Sequence, residues 1–163
     1  MNQNSYKITL RQQIILLLPL IILNTIILIF SFYKFGWTIA TYAVLAFIFI
    51  TSILPTAIVH IQYLVKNSSL ILTLDNDSKV FFVNSKGKVS RHSFSDISKL
   101  IKVSSFGQGT GWYTFSEYRF YRIIFKDNTE LILTCLLINQ IEKNFGAKIN
   151  CNEEKKSKVL ALI

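Results

Sequence analysis

Between Arg11 and His60 the chain carries one charged residue, Lys34, and that residue separates two apolar stretches, residues 14–33 and 38–59. A hydrocarbon layer about 30 Å thick is crossed by about 20 helical residues rising about 1.5 Å each, so the first third of the sequence is expected to form a membrane-embedded helical hairpin. The other hundred or so residues are then expected to work at a membrane surface.

Charge and apolar content divide in the same way. The whole chain has 18 Lys+Arg, 9 Asp+Glu and 51% hydrophobic residues, too apolar for an ordinary soluble domain and too charged for a pure membrane bundle. Residues 1–66 hold Lys7, Arg11, Lys34 and Lys66 and no acid, and residues 67–163 hold every acid. Two units are therefore expected, a hairpin over 1–66 and a cytoplasmic domain over 67–163. The first apolar run is longer than the core of a secretory signal peptide, and the residues after it, Ser31 to Lys34, offer no small-residue cleavage site. Lys7 and Arg11 precede the first span and Lys66 follows the second, against Lys34 alone in the turn, so the positive-inside rule places both termini in the cytoplasm. Phe30, Phe32, Tyr33, Phe35 and Trp37 are expected to form an aromatic belt at the outer interface.

Polar residues inside the hairpin need partners. Asn24 lies near the middle of the first span, where an amide is costly unless it hydrogen-bonds to a neighbouring helix. Thr41, Thr51, Ser52 and Thr56 offer partners within the same hairpin, and a second copy of the chain offers the alternative, in which Asn24 is a membrane-assembly residue. Pro19 and Pro55 are tolerated in such helices and are assigned no function. Cys135 and Cys151 are too few and too far apart for a metal motif, and His60 and His92 have no ligand cluster in sequence, so no metal and no cofactor is implied.

After the hairpin, continuous apolar runs give way to short alternating segments separated by turns. Strands are expected at residues 70–74, 79–84, 89–94, 97–103, 118–126 and 130–135, with turns at Asp75 to Ser78, at Ser85-Lys86-Gly87-Lys88 and at Asp127-Asn128-Thr129. Leu137, Ile138, Ile141 and Phe145 recur at helical spacing and Gly146 follows, which predicts one amphipathic helix over 136–145. Residues 159–163 are apolar and suit a closing strand. The expectation is a small antiparallel meander whose exposed edges are removed by closing as a barrel or by a covering helix.

Residues 104–116 hold Gly107, Gly109 and Gly111 but lack the Lys-Ser/Thr of a phosphate-cradling loop, and read as a mobile loop. It ends in Trp112 and Tyr113 and runs into Arg119, Tyr121 and Arg122. Aromatic faces beside guanidinium groups suit the clamping of a nucleotide or contact with an anionic interface, and they equally suit a small β core with Arg on its wet face. Alternation puts Arg119 and Tyr121 on one face and Tyr118, Phe120 and Arg122 on the other. With no paired carboxylates and no nucleophile beside a base, an enzyme is not expected.

The order of two closely spaced membrane spans followed by a compact β domain resembles the two-transmembrane β-barrel effectors of cyclic-oligonucleotide antiphage signalling (CBASS). That resemblance implies a cyclic di- or oligonucleotide held in the β domain, homo-oligomerisation, and disruption of the bacterial inner membrane. Arg91, Arg119 and Arg122 would then hold phosphates while Trp112, Tyr113 and Tyr121 stack bases, and no DNA or RNA polymer is involved. A second resemblance, carried by Phe94-Ser95-Asp96-Ile97-Ser98-Lys99-Leu100, the turn Lys126-Asp127-Asn128-Thr129 and the helical pattern over 136–145, is to bacterial pleckstrin-homology-like (PH-like) membrane proteins. It implies a non-enzymatic scaffold, assembly or immunity module next to the membrane.

Overall fold

The computed structural model of the chain describes residues 3–75, 78–105, 117–138 and 153–163. Strand β1 (Gln3–Tyr6) comes first, ahead of the hairpin, in a polar segment whose sequence carries no strand signal. Helix α1 (Leu10–Phe35) starts four residues before the expected span because Thr9 and Gln12 form a capping box: Gln12 N–H donates to Thr9 Oγ1 at 3.3 Å and Thr9 N–H donates to Gln12 Oε1 at 2.9 Å. It ends at Gly36, whose φ of +58° suits a residue without a Cβ.

The second rod, Ile39–Asn67, is α2 (Ile39–Ile48), a π-helical turn (Phe49–Ile53) and α3 (Leu54–Asn67) in one run. The π turn sits one residue before the Leu54-Pro55 step, where the proline has no N–H to give and its ring crowds the preceding turn. Thr51 and Thr56 hydroxyls donate to the carbonyls of Phe47 and Ser52 at 2.7 Å, covering acceptors near the irregularity. Both rods are long and apolar enough to cross a membrane, and Ile14, Ile15, Ile21, Ile22, Ile26 and Ile29 are exposed along α1.

The chain then builds β2 (Leu70–Asp75), β3 (Val80–Ser85), β4 (Lys88–Ser93), a 3-10 turn (Phe94–Asp96), β5 (Ile97–Ser105), β6 (Arg119–Phe125), β7 (Glu130–Thr134) and β8 (Glu153–Lys158). β2 to β7 match the alternating segments to within one or two residues at each end. Lys86 and Gly87, at φ +51° and +81°, make the two-residue β3–β4 turn, with Ser85 opposite Lys88.

Two four-stranded sheets result, ordered β1-β2-β3-β4 and β7-β6-β5-β8. β1 pairs antiparallel with β2, Gln3 opposite Asp75 and Tyr6 opposite Leu72. The hairpin is therefore an insertion between two adjacent strands of one sheet, and residues 3–6 belong with the β domain. The two rods must leave and return on the same side.

Leu72, Leu74, Phe81 and Val83 of the first sheet meet Leu100, Tyr121, Ile123 and Leu133 of the second in one buried core. The opposite face of the second sheet, through Ile101, Val103, Tyr118 and Phe120, packs on Val59 and Tyr63 of the second rod in another. The second sheet is thus covered on both faces, and β6 accordingly carries apolar side chains toward each, Phe120 toward the rod and Tyr121, Ile123 and Phe125 toward the first sheet.

Two expectations are corrected. The sheets do not close into a barrel among the described residues, and residues 159–163 are not a strand. The eighth strand is the charged segment before them, which pairs in parallel with β5 from Leu100 opposite Glu153 to Ser105 opposite Lys158. The apolar tail instead turns in beneath the second rod and buries Ala161 there. Ala161 is held there by two bonds of its backbone, its N–H donating to Ser105 Oγ and its carbonyl accepting from Tyr63 Oη, which a place in the sheet would not supply. Of the helix expected over 136–145, Leu136, Leu137 and Ile138 form a turn in which Leu137 and Ile138 N–H donate to Thr134 O, and the rest lies outside the described residues.

Candidate functional site at the base of the hairpin

Thr56, Val59, His60, Tyr63 and Asn67 recur every three or four residues and are the buried face of α3. This face changes from apolar to polar as the rod reaches the second sheet, and each polar group finds a partner there. His60 Nδ1 and Tyr118 Oη share a 2.7 Å hydrogen bond. Tyr63 Oη donates to Ala161 O at 2.9 Å, and its ring meets Tyr118 and Phe120 edge to face with centroids 5.5 and 6.2 Å apart. Burial raises the Tyr118 hydroxyl above its ordinary range, which keeps it a neutral partner for the imidazole.

Asn67, fully buried, ends the rod by acting as a piece of strand. Its Nδ2 donates to Ile132 O at 3.0 Å and its Oδ1 accepts from Thr134 N–H at 2.8 Å. One carboxamide thereby caps the outer edge of β7, the exposed-edge liability of a small sheet. The tail is fixed as well, since Ala161 N–H donates to Ser105 Oγ at 3.0 Å and Ile163 N–H donates to Gln62 Oε1 at 3.4 Å. The second sheet, the tail and the rod form one hydrogen-bonded joint.

Two voids flank this joint. A small one of about 80 Å³ lies between Gln12, Ile15 and Leu16 of α1 and Cys135. A groove of about 340 Å³ runs between the β7 edge and the ends of β2 and β3, lined by Lys66, Asn67, Leu70, Val83, Ser85, Glu130, Leu131 and Ile132. The Cys135 thiol is buried and pushed up to about 11, so it stays protonated and inert. Among the described residues no three metal-ligating side chains come together.

The residues singled out for ligand binding are dispersed. Arg91 is exposed on β4 of the first sheet, opposite Phe82. Arg119, Tyr121 and Arg122 share β6 of the second; Arg119 lies 3.8 Å from Glu117, Arg122 lies 3.6 Å from Glu130, and Tyr121 is fully buried between the sheets. Trp112 and Tyr113 lie outside the described residues. Asn24 Nδ2 donates to Ser52 Oγ at 3.3 Å, a bond between the two rods of one hairpin. At the far turn Phe32 and Trp37 rings lie 4.5 Å apart, and Tyr33 and Trp37 are among the most exposed aromatics.

His60, Gln62, Tyr63 and Asn67 escape a reading based on motifs. Their signal is the polar stripe Thr56, His60, Tyr63, Asn67 at spacings of four, three and four, directly after an apolar span.

The PH domain family profile matches residues 5–142. No curated protein and no solved structure matches the chain. The matched range takes in both rods together with β2 to β7, and in two facing sheets with this strand order the chain belongs to the PH domain family.

Proposed function

We propose that this protein is a non-enzymatic, membrane-anchored PH-domain scaffold. The hairpin crosses the bacterial inner membrane, both termini and the β domain lie in the cytoplasm, and the domain serves as a binding and assembly platform held at a fixed attitude to the bilayer. The observation that carries this reading is the insertion of the hairpin between the paired strands β1 and β2, reinforced by the bonds of His60, Tyr63 and Asn67 to the second sheet. A flexible tether would leave the domain free to rotate; this joint does not.

Exposed aliphatic side chains around both rods support insertion, because large exposed apolar surfaces are otherwise an aggregation liability. The charge asymmetry about the rods supports the orientation, with Lys7, Arg11 and Lys66 at the base and Lys34 at the turn. Reporter fusions after Ile163 and within the Lys34-Phe35-Gly36 turn test it: cytoplasmic activity at the first and periplasmic activity at the second are expected, and the reverse refutes the orientation. Mild detergent extraction with crosslinking is expected to recover a stable protein partner or further copies of the chain. Titration of the full chain with cyclic di- and trinucleotides separates this scaffold from a nucleotide-gated effector of antiphage defence, for which binding and loss of membrane potential would both be required.

A further inference from the structure

We propose that β8 and the tail after it form a foot that contacts anionic lipid headgroups. This rests on the membrane reading above, and concerns residues 153–163, which lie beyond the family match. In the parallel register Val103 lies opposite Lys156 and Ser105 opposite Lys158, so both lysines share the sheet face that packs on the second rod. The tail is bonded to Gln62 and Tyr63, three and four residues past Val59, where the apolar stretch ends. At about 1.5 Å per residue that is about 5 to 6 Å beyond the hydrocarbon, the depth of the headgroups.

Charge and exposure at this place match an anionic surface. Lys158 has no acid within ion-pair distance among the described residues, and Lys156 is held by Glu154 at 3.1 Å. Glu154 in turn pairs with Lys99, farther back along the sheet, and Glu153 lies opposite Leu100 at the far end of the strand, so both acids precede Lys156 and Lys158, which lie toward the rod end. Val159 is 77% exposed and Ile163 38% exposed, beside a buried Ala161. Lysines flanking exposed aliphatic side chains at headgroup depth are the composition of an interfacial contact, each lysine favouring an anionic surface by about fivefold. Lysines on a free edge also deter strand addition, but that role does not require the exposed Val159 and Ile163.

The test uses the full chain with Cys151→Ser and Val159→Cys, labelled at position 159 with an environment-sensitive fluorophore and placed in nanodiscs of neutral lipid or of neutral lipid with phosphatidylglycerol. Blue-shifted emission and quenching by spin-labelled lipid are expected in the anionic discs. They should weaken in about 0.5 M salt, where the screening length falls to about 4 Å. Changing Lys156 and Lys158 together to Gln should lower the docking equilibrium about 25-fold, changing them to Glu should lower it further, and changing them to Arg should preserve it. The Gln variant keeps the test decisive should Glu disturb the strand. Equal emission in both discs, or indifference to Glu and Gln, overturns the foot alone. Release of the chain from vesicles by alkaline carbonate overturns the membrane reading and the foot with it.

Discussion

Replacing Asn67 by alanine is expected to cut the joint between the rod and the second sheet. Asn67 is fully buried, and its side chain is the partner of both Ile132 O, at 3.0 Å, and Thr134 N–H, at 2.8 Å. Thr134 is fully buried as well, so its N–H gains no water when the amide goes. An orphaned buried donor costs about 1–3 kcal/mol and the second bond about 0.5–1.5 kcal/mol, so the loss is about 2–4 kcal/mol. In a domain of about a hundred residues each kcal/mol moves the midpoint by about 4–8 °C, which puts the expected fall in Tm near 10 °C or above. Thermal unfolding of the full chain in nanodiscs, followed by far-UV circular dichroism, measures it. Asn67→Asp sharpens the reasoning. A carboxylate still accepts from Thr134 but faces the Ile132 carbonyl, and burial raises its pKa, so stability is present when the acid is protonated and is lost as pH rises through the raised folded value. A Tm for Asn67→Ala within about 2 °C of wild type, or an Asp variant indifferent to pH, would refute the account.

Asn24→Leu should change stability by only about 0.6 kcal/mol, the average for a hydrogen bond between membrane helices, and should leave oligomeric state in nanodiscs unchanged, since its partner is Ser52 of the same hairpin. A shift toward monomer would instead show that Asn24 joins copies of the chain. Cys135→Ala should flatten the alkaline limb of stability. Above the ordinary thiol value of 9.0 the unfolded chain loses a proton that the folded chain keeps up to about 11, so stability falls through that window by about 3 kcal/mol in the parent, as pH-dependent denaturant midpoints would show. Tyr63→Phe removes the bond to Ala161 O and should cost about 1 kcal/mol while releasing the tail. Faster amide exchange at residues 161–163 with little change elsewhere is the expected readout, and uniform acceleration would contradict it.

Local pattern made much of this fold legible. The two rods follow from uninterrupted apolar runs, and β2 to β7 follow from alternation of side chains between turns whose residues tolerate positive φ, such as Gly87 and Asn128. The second of the two resemblances, carried by residues 94–100, the turn at 126–129 and the helical pattern after it, is the one that the family match supports. Features set by long-range pairing were not legible. β1 is four polar residues that become a strand only because β2, some sixty-five positions later, offers its edge. β8 reads as a solvated charge run, and only the free edge of β5 turns it into a strand.

The arginines and aromatics of β6 illustrate the same division at the level of the site. Residue type alone made Arg119, Tyr121 and Arg122 attractive for a ligand, yet Tyr121 lies between two sheets whose approach no local pattern specifies. The joint of His60, Tyr63 and Asn67 is likewise assembled from partners 58, 98 and 65 to 67 positions away in the chain. Hydrophobic period and turn chemistry are properties of neighbouring residues, so the sequence by itself determined the two rods and six of the strands. Which edges meet, which faces are covered twice and where the tail is buried depend on competition among distant surfaces for burial, and that only the tertiary structure decided.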